Sequence, residues 1–211
     1  MMKNSKEIVS VYFIAGTQDI QSGHLLDVLE QALKAGITCF QYREKGEGSI
    51  ENPNAKMRTA KQCQLLCQQY NVPFLINDDV ALALEIGADG IHVGQTDQAI
   101  KNVLSLFSGK IVGLSCHDEK EVKAANKLPE ITYYGIGPVY GTQSKKDAQR
   151  PIGLMKLQKL VELAEKPVVA VGGISTENVH SVLKTTVDGV SVISAITQAN
   201  QIEDAVRTLK R

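Results

Sequence analysis

Two kinds of hydrophobic pattern alternate along the chain. Short, mostly apolar runs rich in Val and Ile occur at VYFIA (11–15), TCFQYR (38–43), PFLIN (73–77), DGIHVG (89–94), KIVGLS (110–115), ITYYGIG (131–137), PVVAVG (167–172) and DGVSVIS (188–194). Near-continuous apolar runs of this length are how strands read when both faces of a parallel sheet are covered. Between them, apolar residues recur at three- and four-residue spacing. Leu25, Leu29, Ala32 and Leu33 form one such set, Met57, Ala60, Cys63, Cys67 and Tyr70 a second, and Leu154, Leu157, Leu160, Val161 and Ala164 a third. That spacing predicts helices that bury one face. Gly36, Gly87 and Pro167 stand where helices should stop.

Eight strand–helix units in 211 residues, about 26 residues each, suit an α/β chain folded as a compact, single-domain (β/α)8 TIM barrel. A doubly wound open sheet is the alternative, and the number of strands favours the barrel. No linker or composition break divides the chain, so residues 1–211 read as one domain, with 1–9 a short N-terminal extension. The stretch GEGSIENPN (46–54) reads as the clearest long polar loop.

Composition narrows the partners. Lys plus Arg and Asp plus Glu each number 23, a formal net charge of zero, which argues against a general nucleic-acid binder. No apolar run is long enough to span a bilayer. The opening residues lack a secretory h-region and cleavage site. A cytoplasmic protein is therefore expected. Cys39, Cys63, Cys67 and Cys116 form no CxxC pair and read as small buried side chains.

In a barrel of this kind the chemistry lies beyond the carboxyl ends of the strands. The second run ends in QYREK, where Gln41, Arg43 and Lys45 alternate and so share one side of a strand. Turned inward, that side puts two cations at the barrel mouth to meet an anion; turned outward, it is a solvated edge. The third run ends in Asn77, Asp78 and Asp79. Asp79 suits the N-cap of a helix starting at Val80, which leaves Asp78 unexplained. Asp97 follows the next strand and suits either a cap or a ligand. Asp78 and Asp97 together could converge, and two carboxylates with phosphate oxygens and waters are a common way to hold Mg2+. Gly172 and Gly173, after the seventh strand, suit an anion approached by backbone N–H groups. His92 reads as a packed strand residue, and His117 as a minor substrate contact near the mouth.

Taken in order, QYREK, LINDD, GIHVGQTD, GLSCH, GPVYGTQSKKD, VGGI and GVSVISAI resemble the thiamine phosphate synthase family from about residue 10 to the C-terminus. The resemblance implies a transferase that joins a hydroxymethylpyrimidine diphosphate to a thiazole phosphate and releases pyrophosphate, with Mg2+ as cofactor. It implies that Gln41, Arg43, Lys45, Asn77, Ser115 and Lys145 contact the pyrimidine diphosphate, with Arg43, Lys45 and Lys145 catalytic. It assigns Asp78 and Asp97 to the metal, and Thr142, Ser144, Gly173, Ile193 and Ser194 to the thiazole phosphate. Tyr42 stands where many members carry an aliphatic residue, and its side chain is expected to point away from the site. The rivals are a thiazole tautomerase on the same barrel and a phosphate-ligand-binding barrel without catalysis.

Overall fold

The computed structural model describes residues 5–95, 100–142, 144 and 149–210. Eight parallel strands close into a barrel in sequence order: β1 Val11–Ala15, β2 Cys39–Tyr42, β3 Phe74–Asn77, β4 Gly90–Val93, β5 Ile111–Cys116, β6 Tyr133–Ile136, β7 Val168–Val171 and β8 Gly189–Val192. Each falls within or one residue beyond its predicted run. β8 pairs back onto β1, with Val11 opposite Val190, so no edge is left unpaired.

The period-two geometry of a strand divides its side chains between two cores. Phe13, Phe40, Phe74, Ile76, Tyr134 and Val168 face outward into the layer packed under the helices. Tyr12, Ile14, Cys39, Leu75, Tyr133 and Val169 face the barrel axis. Ile8 and Val9, from the expected N-terminal extension, are buried in that inner cluster. In the outer layer Phe13, Phe40 and Phe74 are register neighbours on β1, β2 and β3. Their ring centroids lie 5.4 and 6.1 Å apart, within aromatic contact range. Tyr42 is buried in the outer layer too, away from the barrel axis.

Helices end and begin where local chemistry dictates. Leu25–Ala35 stops at Gly36, whose left-handed backbone lets its N–H reach the carbonyls of Ala32 and Leu33. Helix Pro53–Gln69 starts inside the stretch read as loop 46–54. Asn52 accepts a hydrogen bond from the Ala55 amide, and Pro53 holds the first helical position, so the last residues of the polar stretch are a helix start. Cys63 and Cys67 face inward from this helix, and all four cysteines are buried. Burial pushes the Cys63 thiol up to about 12. No helix among the described residues is long and apolar enough to cross a membrane.

Asp79 caps helix Val80–Glu85 by accepting from the Leu82 amide at 3.0 Å. Its other oxygen takes Lys56 Nζ at 2.7 Å. Burial alone would raise its pKa, but Lys56 and the Leu82 amide outweigh burial and hold it below the usual carboxylate range.

Two outcomes follow from this packing. Phe40→Ala removes the middle ring of the aromatic row and should cost about 3–5 kcal/mol of unfolding free energy in urea titration. Asp79 has a folded pKa below its unfolded value of about 3.9, so its stabilisation is present above that value and lost as pH falls through the folded one. In Asp79→Asn the cap remains, and the fall in stability between neutral and acidic pH should be smaller than in wild type by the same urea titration.

Candidate active site

At the carboxyl ends of the strands the barrel opens into a cavity of about 340 Å³, enough for a small organic ligand. Its cationic side is built by the tail of β2. Gln41 and Arg43 are buried, and Arg43 and Lys45 line the cavity. Glu44 lies between them and turns the other way. Its carboxylate accepts from the Thr17 amide at 3.0 Å, the Ile50 amide at 2.7 Å and the Thr17 hydroxyl. The Arg43 carbonyl accepts from Gln18 Nε2 at 2.7 Å. These bonds fix the strand tail from outside the cavity, and alternation then sends residues 43 and 45 in.

The three polar residues ending β3 part company at a strained backbone. Asp78 has φ of 60°, left-handed and uncommon for a residue with a side chain. Its N–H still donates to the His92 carbonyl at 2.9 Å, so the β3–β4 ladder runs one residue past the strand. The twist leaves Asn77 and Asp78 on the cavity wall and sends Asp79 out to Lys56. Asp78 Oδ2 meets Lys45 Nζ at 3.0 Å, a partly exposed ion pair.

Across the cavity, the wall from β6, β7 and β8 is backbone and hydroxyl. Thr142, Ser144, Gly173, Ile193 and Ser194 line it, and the Ser144 amide donates to Thr142 Oγ1 at 3.3 Å. Gly173 has φ of 63°, and a Cβ there would lie 2.4 Å from the Gly141 carbonyl oxygen. Only glycine lets the two loops approach this closely. Ile14, Pro138, Val171 and Val192 supply apolar surface between the walls. On the β4–β5 side, Ser115 Oγ lies 2.9 Å from His92 Nε2. Gln95 Nε2 donates to the Ser115 carbonyl at 2.7 Å, and His117 Nδ1 lies 3.0 Å from Glu121 Oε2.

The arrangement can hold two anionic groups on opposite walls, with apolar surface between them for rings. Of the residues singled out from the sequence, Arg43, Lys45, Asn77, Asp78, Ser115, Thr142, Ser144, Gly173, Ile193 and Ser194 share this one cavity. Gln41 is buried beneath it, bonded to Tyr12 Oη at 2.8 Å. Asp97 and Lys145 lie outside the described residues. Sequence reading missed the polar contacts of His92, and it missed Tyr12, Tyr133, Gln95 and Glu121 altogether. A signal for His92 exists: Gly113 and Gly135 fall at inward positions of the two following strands, which leaves room for a large side chain.

Asp78 and Glu121 are the carboxylates on the described part of the wall, and no group of three His, Cys, Asp or Glu residues gathers among the described residues. A carboxylate beside an amide oxygen, Asp78 beside Asn77, is a hard-oxygen donor set. It fits a cation such as Mg2+ that keeps several waters and shares its remaining positions with substrate oxygens.

Residues 11–196 match the thiamine monophosphate synthase family. A thiamine-phosphate synthase of Listeria monocytogenes is 53% identical over 204 residues, covering 96% of this chain and 95% of that protein. One from Latilactobacillus sakei is 45% identical over 212 residues, covering 100% of this chain and 95% of that one. The solved thiamine phosphate pyrophosphorylase of Pyrococcus furiosus superposes with a TM-score of 0.84 at 34% identity, covering 98% of this chain and 96% of that one. Matched along nearly its whole length in both sequence and backbone, the chain belongs to the thiamine monophosphate synthase family.

Proposed function

We propose that this chain is a thiamine-phosphate synthase. It couples a hydroxymethylpyrimidine diphosphate to a thiazole phosphate and releases pyrophosphate. The observation that carries the reading is the pair of anion-suited walls facing each other across one cavity. Arg43 and Lys45 stand on one wall; Gly173, Ser194, Thr142 and Ser144 stand on the other.

The residues divide the work by chemistry. Arg43 is forked and permanently charged, suited to diphosphate oxygens. Lys45 adds a second cation at the same place and is steadied by Asp78. Charge that grows on a departing diphosphate is stabilised where fixed cations already point at it. Asn77 and Ser115 offer polar contacts to the pyrimidine half, and Lys145, outside the described residues, is assigned there from the sequence. On the far wall, backbone N–H groups at Gly173, Ile193 and Ser194 and the hydroxyls of Thr142 and Ser144 suit a phosphate monoester. Asp78, with Asp97, which is assigned there from the sequence and lies outside the described residues, would hold Mg2+. When bound, that ion supplies Lewis-acid neutralisation of the diphosphate. Holding the two rings face to face in one site supplies the rest as proximity and orientation.

A thiazole tautomerase on the same barrel would draw on the His117–Glu121 pair and would release no pyrophosphate. Incubating the protein with both substrates and Mg2+, and following thiamine phosphate by mass and pyrophosphate by coupled assay, decides between them. Both products are expected, and chelation of the metal should abolish them. Asp78→Ala should lower turnover on the order of 100-fold or more with an unchanged circular dichroism spectrum. Unchanged turnover and metal dependence in that variant would remove Asp78 from the metal site.

A further inference from the structure

From the cavity wall at Ser115 and His92 down to the buried Gln41, five side chains from five strands are joined end to end. Gln41 Nε2 lies 2.8 Å from Tyr12 Oη, and Tyr12 Oη lies 2.7 Å from Tyr133 Oη. Tyr133 Oη lies 2.9 Å from His92 Nδ1, and His92 Nε2 lies 2.9 Å from Ser115 Oγ. The rings also pack: Tyr12 meets Tyr133 edge-on and His92 stacks on Tyr133. Two glycines make the room. A Cβ at Gly113 would fall 2.2 Å from Tyr133 Cζ and 2.5 Å from His92 Nδ1, and one at Gly135 would fall 2.9 Å from His92 Cε1.

Counting protons limits what this chain can do. Each tyrosine brings one, and a neutral imidazole brings one. Burial pushes both phenols well above their ordinary pKa, so both keep their protons. Three protons serve four contacts, so the fourth comes from one end. If the Gln41 amide supplies it, Ser115 keeps its own proton for the cavity, and Gln41 Oε1 is left over as an acceptor. If Ser115 supplies it, Ser115 turns only lone pairs to the cavity, and Gln41, with its amide turned over, is left with a donor. Two further oxygens bear on the choice of ligand. Among the described residues, Gln41 Oε1 is buried with no hydrogen-bond partner, and so is Ser191 Oγ. Ser191 lines the cavity and is the register neighbour of Tyr12 on β8.

We propose that Tyr12, Tyr133 and His92 are positioning residues that couple Gln41 to Ser115, so that one end offers a proton and the other a lone pair to an amino-substituted nitrogen heterocycle. An aminopyrimidine carries both an exocyclic N–H donor and ring-nitrogen acceptors. A ring with only donors or only acceptors leaves one end desolvated and unmatched. The inference rests on the pyrimidine half of the substrate binding on the Gln41–Ser115 side, as proposed above.

The test uses protein labelled with 15N in its histidine rings, the His92 signals being assigned by their loss in His92→Gln. Wild type should give one neutral tautomer for His92. Tyr133→Phe keeps the ring and removes the hydroxyl; it should give a tautomer mixture and a kcat about tenfold lower, with KM for the thiazole phosphate unchanged. Tyr12→Phe cuts the next link and replaces Tyr133→Phe if that variant does not fold. A doubly protonated ring or a tautomer mixture in wild type overturns the proposal. So does a folded variant in which only one of the two readouts moves, or neither. Absence of pyrophosphate release by wild type would instead overturn the assigned reaction, and the ring spectrum, which needs no turnover, would still decide the coupling.

Discussion

Everything at this site depends on strict alternation along parallel strands locked in register. Once β1 to β8 close on themselves, every second residue is committed to the axis and every other to the helices. Phe40 and Tyr42 cannot turn toward the barrel axis, and Gln41 and Arg43 cannot turn away from it. A shift of one residue in β2 would exchange Phe40 and Tyr42 of the outer layer for the amide of Gln41 and the charge of Arg43. The outer aromatic row therefore does more than fill space. By making slippage costly, it holds the cations of the β2 tail at the mouth.

Alternation alone does not aim side chains once a strand ends, and there the structure uses specific bonds. Glu44, buried and bonded to two amides and a hydroxyl, extends the β2 pattern two residues beyond the last ladder pair. At β3 the device is backbone conformation. The left-handed turn at Asp78 separates neighbouring carboxylates, one for the cavity and one for a helix cap. Two adjacent like charges thus avoid sharing an environment, and the strain is confined to a single residue.

Much of this was legible from the residues. The apolar runs located all eight strands because a covered parallel strand has little sequence freedom. Gln41, Arg43 and Lys45 announced a shared side, though which side required the register. Asp79 announced a cap, and the cap is present. The start of helix Pro53–Gln69 was misplaced because Asn52-Pro53 belongs equally to a polar loop and to a helix N-terminus, and only the hydrogen bond to the Ala55 amide separates the two. The inner polar chain was not legible, since Tyr12, Gln41, His92, Ser115 and Tyr133 are spread over more than half the sequence and share no local pattern. Their meeting is a property of barrel closure, which brings β1, β2, β4, β5 and β6 around one axis.

The paired vacancies at Gly113 and Gly135 carry an evolutionary corollary. Bulk missing from β5 and β6 is supplied by His92 and by Tyr133, a residue whose own strand contains one of the gaps. Volume here is held in common by three neighbouring strands. Drift at any one of these four positions is then conditional on the others, and descendants should change them as a set or leave them alone.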